Sequence, residues 1–343
     1  MSETTDWFSI EPQKVQWLVD GLIPSDGYTA IVGKPKAGKS TFLRSLIASV
    51  IKNKKFLGRA VEVPEGQGRV LYIHLDRKDV PWRVASELRD KLGITKEESS
   101  RLHLYTSDNV PDTGYQARLD WLKDRVMAIQ PNVVVIDLLW QFTCARNSND
   151  YKEVLDAINQ LQEALRSVQY QGSLIVTMHA RKATNADDEA DDIIGSTAQR
   201  GSFANGIHLS RDRKSGHYTI MTDQSLRDDV FGEIDKSVLI RNPDGSLELG
   251  QKVDELAKAD KVRRIEEDLK KVLVFVAKHP GCEMSEIMGQ LMMSKKTVLR
   301  LLVQAGDMFH IDGKGIKGDP LRYYVRGYGD DAVSPESCIQ AAA

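Results

Sequence analysis

The residues from 33 to 41 constrain the fold more than any other part of the chain. They follow the apolar run Tyr28–Val32, which is typical of a buried strand, and they lead into the helical pattern Thr41–Ile51. A strand that ends in a glycine-bearing loop and continues into a helix gathers backbone N–H groups around a phosphate. The loop consists of Gly33, Lys34, Pro35, Lys36, Ala37, Gly38, Lys39, Ser40 and Thr41.

The polar groups of this loop match the needs of a nucleoside triphosphate. Gly33 and Gly38 allow the backbone to curl, and the helix that follows adds the positive end of its dipole. Lys39 is predicted to place its charge on the β- and γ-phosphates, and Ser40 to offer a hydroxyl to Mg²⁺. The alternative is a chance Gly-Lys-Ser turn. The strand before the loop and the helix after it favour an ATP site.

Apolar runs alternate with helical patterns through the first two thirds of the chain. The runs are β-branched and continuous, as in strands that a parallel sheet buries on both faces. The alternation predicts an α/β fold with a doubly wound, mostly parallel sheet. The further strand runs are Arg69–Leu75, Asn132–Ile136 and Ser173–Met178, and the helical patterns are Val80–Leu92, Tyr115–Ile129 and Tyr151–Val168.

Three polar residues end predicted strands and are candidates for the chemistry. Asp137 is predicted to orient Mg²⁺ opposite the phosphate loop, although an acid at a strand end is also common without any function. Asp76 is predicted to polarise the attacking water, or else to cap a helix or pair with Arg77 or Lys78. His179 is predicted to contact the γ-phosphate, or else to be structural.

Bulk composition limits the class of protein. A chain of 343 residues favours two domains, and a net charge of −2 requires any nucleic-acid contact to come from a local patch. The three cysteines follow no metal or disulfide spacing, which favours a reducing, cytoplasmic location. The N-terminus is polar, so no signal peptide is expected. No apolar run is long enough to span a bilayer, so no membrane contact is expected.

The last third of the chain has a different pattern. Residues 207–211 and 217–221 flank a predicted hairpin turn, and Lys252–Glu267 has the charge pattern of a helical linker. Three helices and the segment Phe309–Tyr324 then predict a winged helix. The expected domains are 1–252 for the ATPase, 253–327 for the linker and winged helix, and 328–343 for a disordered tail. Candidate DNA contacts are Lys295, Lys296, Arg300, Lys314 and Lys317, although a winged helix can also serve a protein contact.

Several motifs resemble the plasmid RepA and DnaB-like group of hexameric replicative helicases, which are RecA-fold P-loop ATPases. The resemblance covers roughly residues 15 to 223, and the phosphate loop is its most specific part. The other matching stretches are Val15–Pro24, Ile136–Leu139 with Asn149-Asp150, His179–Lys182, and Gly195–Ala198 with Leu209.

The resemblance implies a homo-oligomeric ring, expected to be a hexamer, with ATP between subunits. Arg213 is then the expected finger from a neighbour and Arg211 its companion, with Arg200 as a second candidate. A solvated hairpin charge is the alternative for both Arg211 and Arg213. Asp76 departs from the glutamate that is usual in the family, and the acidic run 187–192 opposes strand threading.

The expected function is therefore an ATP-hydrolysing ring motor on DNA, a replicative helicase of a plasmid, phage or mobile element, with replication proteins as further partners. One alternative is an ATP-switched DNA-binding regulator or loader that does not unwind DNA. Another is an assembly protein that uses ATP only to hold a ring together.

Overall fold

The protein is described here by a computed structural model. It describes residues 15–63, 66–76, 81–144, 151–180, 203, 205–212, 215–222 and 234–326. The chain divides after Val253 into two compact units. Among the described residues, no helix combines the length and the apolar character that a bilayer crossing requires.

The first unit is built on a large sheet with helices on both of its faces. Its strands are β1 (Trp17–Val19), β2 (Ile23–Pro24), β3 (Tyr28–Val32), β4 (Val70–His74), β5 (Leu102–Thr106), β6 (Val133–Asp137), β7 (Ser173–Met178), β8 (Asn205–Arg211), β9 (Tyr218–Thr222), β10 (Ser237–Arg241) and β11 (Leu247–Lys252). Its helices are α1 (Lys39–Lys52), α2 (Pro81–Ser86), a π-helical turn (Glu87–Lys91), α3 (Lys96–Ser99), α4 (Tyr115–Ile129), α5 (Leu139–Thr143) and α6 (Tyr151–Ser167).

Nine of the described strands form one sheet in the order β11-β10-β9-β8-β3-β7-β6-β4-β5. From β8 to β5 the adjacent strands are parallel, whereas the pairs β8–β9, β9–β10 and β10–β11 are antiparallel. The expectation of an α/β fold with a mostly parallel sheet is therefore confirmed. Since parallel strands end at the same edge, the residues that follow β3, β4, β6 and β7 meet there.

Side chains of the central strands alternate between two cores. On one face, Val70 and Tyr72 of β4 pack in the core that contains α1. On the other face, Leu71 and Ile73 pack in the core that contains α4 and α6. Because both faces are covered, the strands are continuous apolar runs with no polar alternation.

Two elements differ from the sequence-based expectation. Residues Leu102–Thr106 form the edge strand β5, which the apolar runs did not indicate because most of this strand is only partly buried. The predicted linker and the helix after it form one continuous helix, α7 (Val253–Lys278). The stretch contains no glycine or proline that would separate two helices.

The second unit packs helices against a small antiparallel sheet. After α7 come β12 (Cys282–Glu283), α8 (Met284–Leu291), α9 (Lys295–Ala305), β13 (Phe309–Asp312) and β14 (Arg322–Val325), with the strand order β12-β14-β13. Ser294 caps α9 by accepting a hydrogen bond from the backbone N–H of Thr297. The core of the second unit includes Val276, Ile287, Val298, Leu301 and Tyr323. The predicted disordered tail, 328–343, lies outside the described residues.

Candidate active site

The loop between β3 and α1 is held in a tight curl by two glycines. A Cβ atom on Gly33 would lie 2.4 Å from the backbone oxygen of Leu209 in β8, so a larger residue there would displace a main chain. Gly38 has a φ of 92°, in the left-handed region that favours glycine. Gly33 and Gly38 therefore allow the loop to lie against the sheet in a conformation that larger residues would disfavour.

Helix α1 begins inside this loop with its N-terminal N–H groups available. The first turn carries no acidic residue, and within the described part of the chain no side chain caps this end. The N–H of Phe42 donates to the carbonyl of Gly38 at 2.9 Å, so the helix starts directly after the curl. Free N–H groups and the helix dipole favour an anion at this position.

The ammonium group of Lys39 lies inside the curl of the loop. Its Nζ donates to the carbonyl oxygens of Gly33 at 2.7 Å and Lys34 at 3.2 Å, and lies 3.3 Å from Nδ1 of His179. Burial lowers the pKa of Lys39 to about 8, against the opposing attraction of Asp137 and Asp76. A partly desolvated ammonium acts on a phosphate more strongly than one in bulk water.

Asp137 is fully buried at the end of β6. Thr177 of β7 donates to its Oδ1 at 2.5 Å, and Ser40 also hydrogen-bonds to this carboxyl group. Burial raises the pKa of Asp137, but hydrogen bonds from His74, Thr177 and Ser40 outweigh that effect and keep the pKa below its ordinary value. Asp137 is therefore an ionised carboxylate. It lies beside the Ser40 hydroxyl, which the sequence predicts to serve the same Mg²⁺ ion.

Two residues of β4, which sequence reasoning did not single out, also surround Asp137. The Tyr72 hydroxyl donates to Oδ2 of Asp137 at 3.3 Å, and Nδ1 of His74 lies 3.5 Å from the same oxygen. Both side chains are almost completely buried. The available signal was the spacing of Tyr72 and His74, which places their polar atoms on one face of a strand that is otherwise apolar.

Asp76 and His179 follow the ends of β4 and β7. Asp76 is partly exposed and lies close enough to interact electrostatically with both Lys39 and His179. Burial and the charge of Lys39 lower the pKa of His179, against opposing contributions that include Asp76 and Asp137. The imidazole is therefore neutral at pH 7. The alternative partners of Asp76, Arg77 and Lys78, lie outside the described residues.

Arg211 lies beside the phosphate loop of its own chain. Its guanidinium stands 5.2 Å from the ring centre of Tyr218, its cross-strand partner, and the same ring lies against Gly38. Other predicted features fall outside the described residues. They are Arg213, Arg200, the acidic run 187–192, and the matching stretches Asn149-Asp150, Arg181-Lys182 and Gly195–Ala198.

The candidate DNA contacts of the second unit are all exposed. Lys295, Lys296 and Arg300 lie on the outer surface of α9, and Lys314 and Lys317 lie between β13 and β14. The same helix also exposes the apolar side chains of Leu299 and Val303, at 43% and 82%.

Comparison with known proteins identifies the family of the first unit. A family model described as an AAA domain matches residues 1–185, which is more than half of the chain. The chain belongs to the AAA domain family. A P-loop ATPase domain that binds nucleotide is thereby confirmed, and the finer expectation of a RepA or DnaB-like helicase stays a prediction.

Other comparisons are less informative. A search of curated proteins finds no match to this AAA domain protein. Among solved structures, the crystal structure of the RadB recombinase is 14% identical, covers 66% of this chain and 91% of its own, and has a TM-score of 0.45. A likeness this weak adds nothing to the family assignment.

Proposed function

We propose that the site at the carboxyl ends of the central strands binds ATP with Mg²⁺ and hydrolyses it. The observation that carries this proposal is the convergence of Lys39, Asp137, Asp76 and His179 from four different segments onto one loop. A cation for the phosphates, an acid for the metal and an acid for the water are the parts that phosphoryl transfer requires.

The residues present fit a magnesium ion. Mg²⁺ prefers oxygen ligands, and the Ser40 hydroxyl stands next to the buried carboxylate of Asp137. Ser40 and Asp137 would hold the ion, Ser40 through its hydroxyl and Asp137 by orienting it. A bound Mg²⁺ would supply positive charge to offset the charge that develops on the phosphates.

The other groups act directly on the nucleotide and the water. Lys39 exchanges its bonds to the loop carbonyls for bonds to phosphate oxygens, and N–H groups at the start of α1 add to them. Asp76 accepts a hydrogen bond from the attacking water and orients it. His179 contacts the γ-phosphate from beside Lys39.

A single substitution tests the hydrolytic part. Asp76→Asn should keep nucleotide affinity and lower kcat by about 100-fold or more. Asp120→Asn, which changes an exposed acid on α4 of the same unit, is the charge-matched control and should leave kcat unchanged. An Asp76→Asn variant with a normal kcat would remove Asp76 from the mechanism.

The proposal extends to a ring motor of the RepA and DnaB-like, RecA-fold group that acts on DNA. The phosphate loop and the other stretches between residues 15 and 223 that resemble this group support the extension. The second unit is proposed to be a winged helix that contacts DNA through the exposed basic residues of α9 and of the β13–β14 connection. Arg213 of a neighbouring subunit is proposed to complete the site, whereas Arg211 lies beside the loop of its own chain.

One observation favours a second function, that of an ATP-switched DNA-binding regulator or loader. The basic side chains proposed to contact DNA belong to a separate compact unit, so DNA binding does not require a strand to pass through a ring. ATPase rate with single-stranded DNA and a strand-displacement assay separate the two functions. Stimulation together with displacement supports the motor, and a flat rate without displacement supports the regulator. Mass photometry with and without ATP tests the ring, since a monomer in both conditions would exclude Arg213 as a finger.

A further inference from the structure

We propose that Tyr72 and His74 are positioning residues that fix the orientation of the Asp137 carboxylate. The inference rests on the proposed function, because it gives these side chains a part in the use of Mg²⁺ and ATP. It assigns a role to two buried polar groups that the proposed hydrolysis mechanism has not used.

The position of Asp137 in the sheet explains how neighbouring strands hold it. Its strand, β6, lies between β7 and β4, and Asp137 pairs in register with His74. Thr177 of β7 donates to Oδ1 from one side, while Tyr72 and His74 of β4 approach Oδ2 from the other. Both carboxylate oxygens are therefore bound, which fixes the rotation of the group about its χ2 angle.

The distances define which groups donate. The Tyr72 hydroxyl lies 3.2 Å from Nδ1 of His74 and donates to Oδ2 of Asp137 at 3.3 Å. A carboxylate accepts hydrogen bonds only, so Nδ1 of His74 must carry the proton if it faces both oxygens. We therefore assign the Nδ1–H tautomer to His74, with its proton directed between the phenol oxygen and the carboxylate.

A purely structural role does not account for this choice of residues. Val70 precedes them on the same face of β4, and Val133 and Val135 occupy that face of β6, all as ordinary members of the apolar core. A buried phenol and imidazole carry a desolvation cost that an apolar residue of similar size avoids. Their polar atoms meet a buried carboxylate, and the shared bonds offset that cost.

The arrangement gives strand β4 two functions at the same site. The backbone N–H of Leu75 donates to the carbonyl of Asp137 at 2.6 Å, so main-chain pairing continues one residue beyond His74. Asp76, the proposed water acid, follows immediately. The orientation of the metal acid and the place of the water acid are thus set by one continuous segment, residues 72–76.

The test measures Mg²⁺ use with matched variants. Tyr72→Phe removes one oxygen atom, His74→Leu removes the imidazole donor, and His74→Asn returns an N–H close to the position of Nδ1. Tyr170→Phe is the control, because it removes another hydroxyl that is hydrogen-bonded inside the same unit, to the carbonyl of Ser173, away from Asp137. The readouts are affinity for a fluorescent ATP analogue with and without Mg²⁺, and the Mg²⁺ concentration that gives half-maximal hydrolysis.

We expect His74→Leu to raise the half-maximal Mg²⁺ concentration by about 10- to 100-fold, as for other groups that orient a metal ligand. Tyr72→Phe should raise it by about threefold or more. Affinity for the analogue without Mg²⁺ should not change, and His74→Asn should recover most of the loss. Tyr170→Phe should match the wild type in Mg²⁺ dependence even if its melting temperature falls.

The inference is overturned if folded Tyr72→Phe and His74→Leu proteins use Mg²⁺ as the wild type does. If His74→Leu does not fold, Tyr72→Phe and His74→Asn decide the question. A wild-type protein that binds the Mg²⁺ complex of the analogue but does not hydrolyse ATP refutes the proposed function alone. The Mg²⁺ dependence of binding then still tests the positioning role.

Discussion

The two units of the molecule differ in how far their key charged side chains are exposed to solvent. In the first unit, Lys39, Asp137 and Arg44 are almost completely buried, and each is bonded to other protein groups. In the second unit, the basic residues of α9 and of the β13–β14 connection are exposed.

The difference follows from what each kind of charge has to do. A charge that acts on a reacting phosphate is more effective when water is excluded, and its neighbours must then compensate for lost hydration. A charge that contacts a polyanion at the surface must stay accessible, and salt weakens its effect. If this contrast between buried and exposed charges is functional, substitutions at the buried charges should have the larger effects.

The largest effect is expected for the buried charge of the phosphate loop. Lys39→Ala removes the ammonium that the curl surrounds, so ATP hydrolysis should fall by about 1,000-fold or more and nucleotide binding should be lost. Lys36→Ala, in an exposed lysine of the same loop, is the control and should have a much smaller effect. Nucleotide titration and a phosphate-release assay measure both. An Lys39→Ala protein that keeps its affinity would refute the site assignment.

The next largest effect is expected on the free energy of unfolding. Glu87 lies between the buried Arg44 of α1 and Arg241 of β10, with exposures of 12%, 5% and 43%. Glu87→Ala leaves Arg44 buried without this partner, so the free energy of unfolding should fall by about 3 kcal/mol. In the second unit, Asp260→Ala breaks an exposed pair with Arg263 and should cost less than about 1 kcal/mol. Urea unfolding monitored by circular dichroism compares the two variants, and equal losses would contradict the contrast.

Local features of the site could be predicted from the sequence, whereas features that depend on strand order could not. The phosphate loop is a continuous segment between a strand and a helix, so its sequence contains the whole motif. Asp137 was predictable because it ends a strongly apolar strand. Tyr72 and His74 reach Asp137 only because β4 lies next to β6. No local sequence pattern predicts which strands are neighbours in the sheet.

The same distinction applies to the fold. The central strands have the continuous apolar pattern of a parallel sheet, but β5 lies at the edge and its mixture of polar and apolar residues is not specific. The ion cluster of Arg44, Glu87 and Arg241 joins residues that are far apart in the sequence, so it follows from packing alone. The sequence pattern divides helix α7 into a linker and a helix because its charged first half differs in composition from its apolar end.

A smaller effect is expected at the surface of the second unit. Reversing the charge of Lys295, Lys296 and Arg300 to Glu should weaken DNA binding by about tenfold or more and reduce its dependence on salt. Reversing Arg264, Lys270 and Lys271 on α7 changes the net charge equally and is the control. Fluorescence anisotropy at several salt concentrations measures both. If the two triple variants lose affinity equally, net charge rather than α9 governs binding.

Close to neutral pH, the smallest effect is the pH dependence of nucleotide affinity. Burial lowers the pKa of Lys39 to about 8, so the free protein loses this charge as the pH rises through that value. Phosphate oxygens favour the ammonium form, and ATP binding above that pH therefore requires uptake of a proton. Affinity should be nearly constant at neutral pH and fall by up to about tenfold for each pH unit above about 8.

Lys39→Arg provides the control for this dependence, because a guanidinium stays charged over the whole range and should remove the decline even if overall affinity changes. Titration of a fluorescent ATP analogue from about pH 6.5 to about pH 9.5 measures affinity, and calorimetry in two buffers of different ionisation enthalpy measures proton uptake. His179 lies 3.3 Å from the ammonium, but its own pKa is lowered, so it is neutral above pH 8. It cannot produce a decline above pH 8, so a flat profile for the wild type would show that the Lys39 ammonium is not held in a desolvated state.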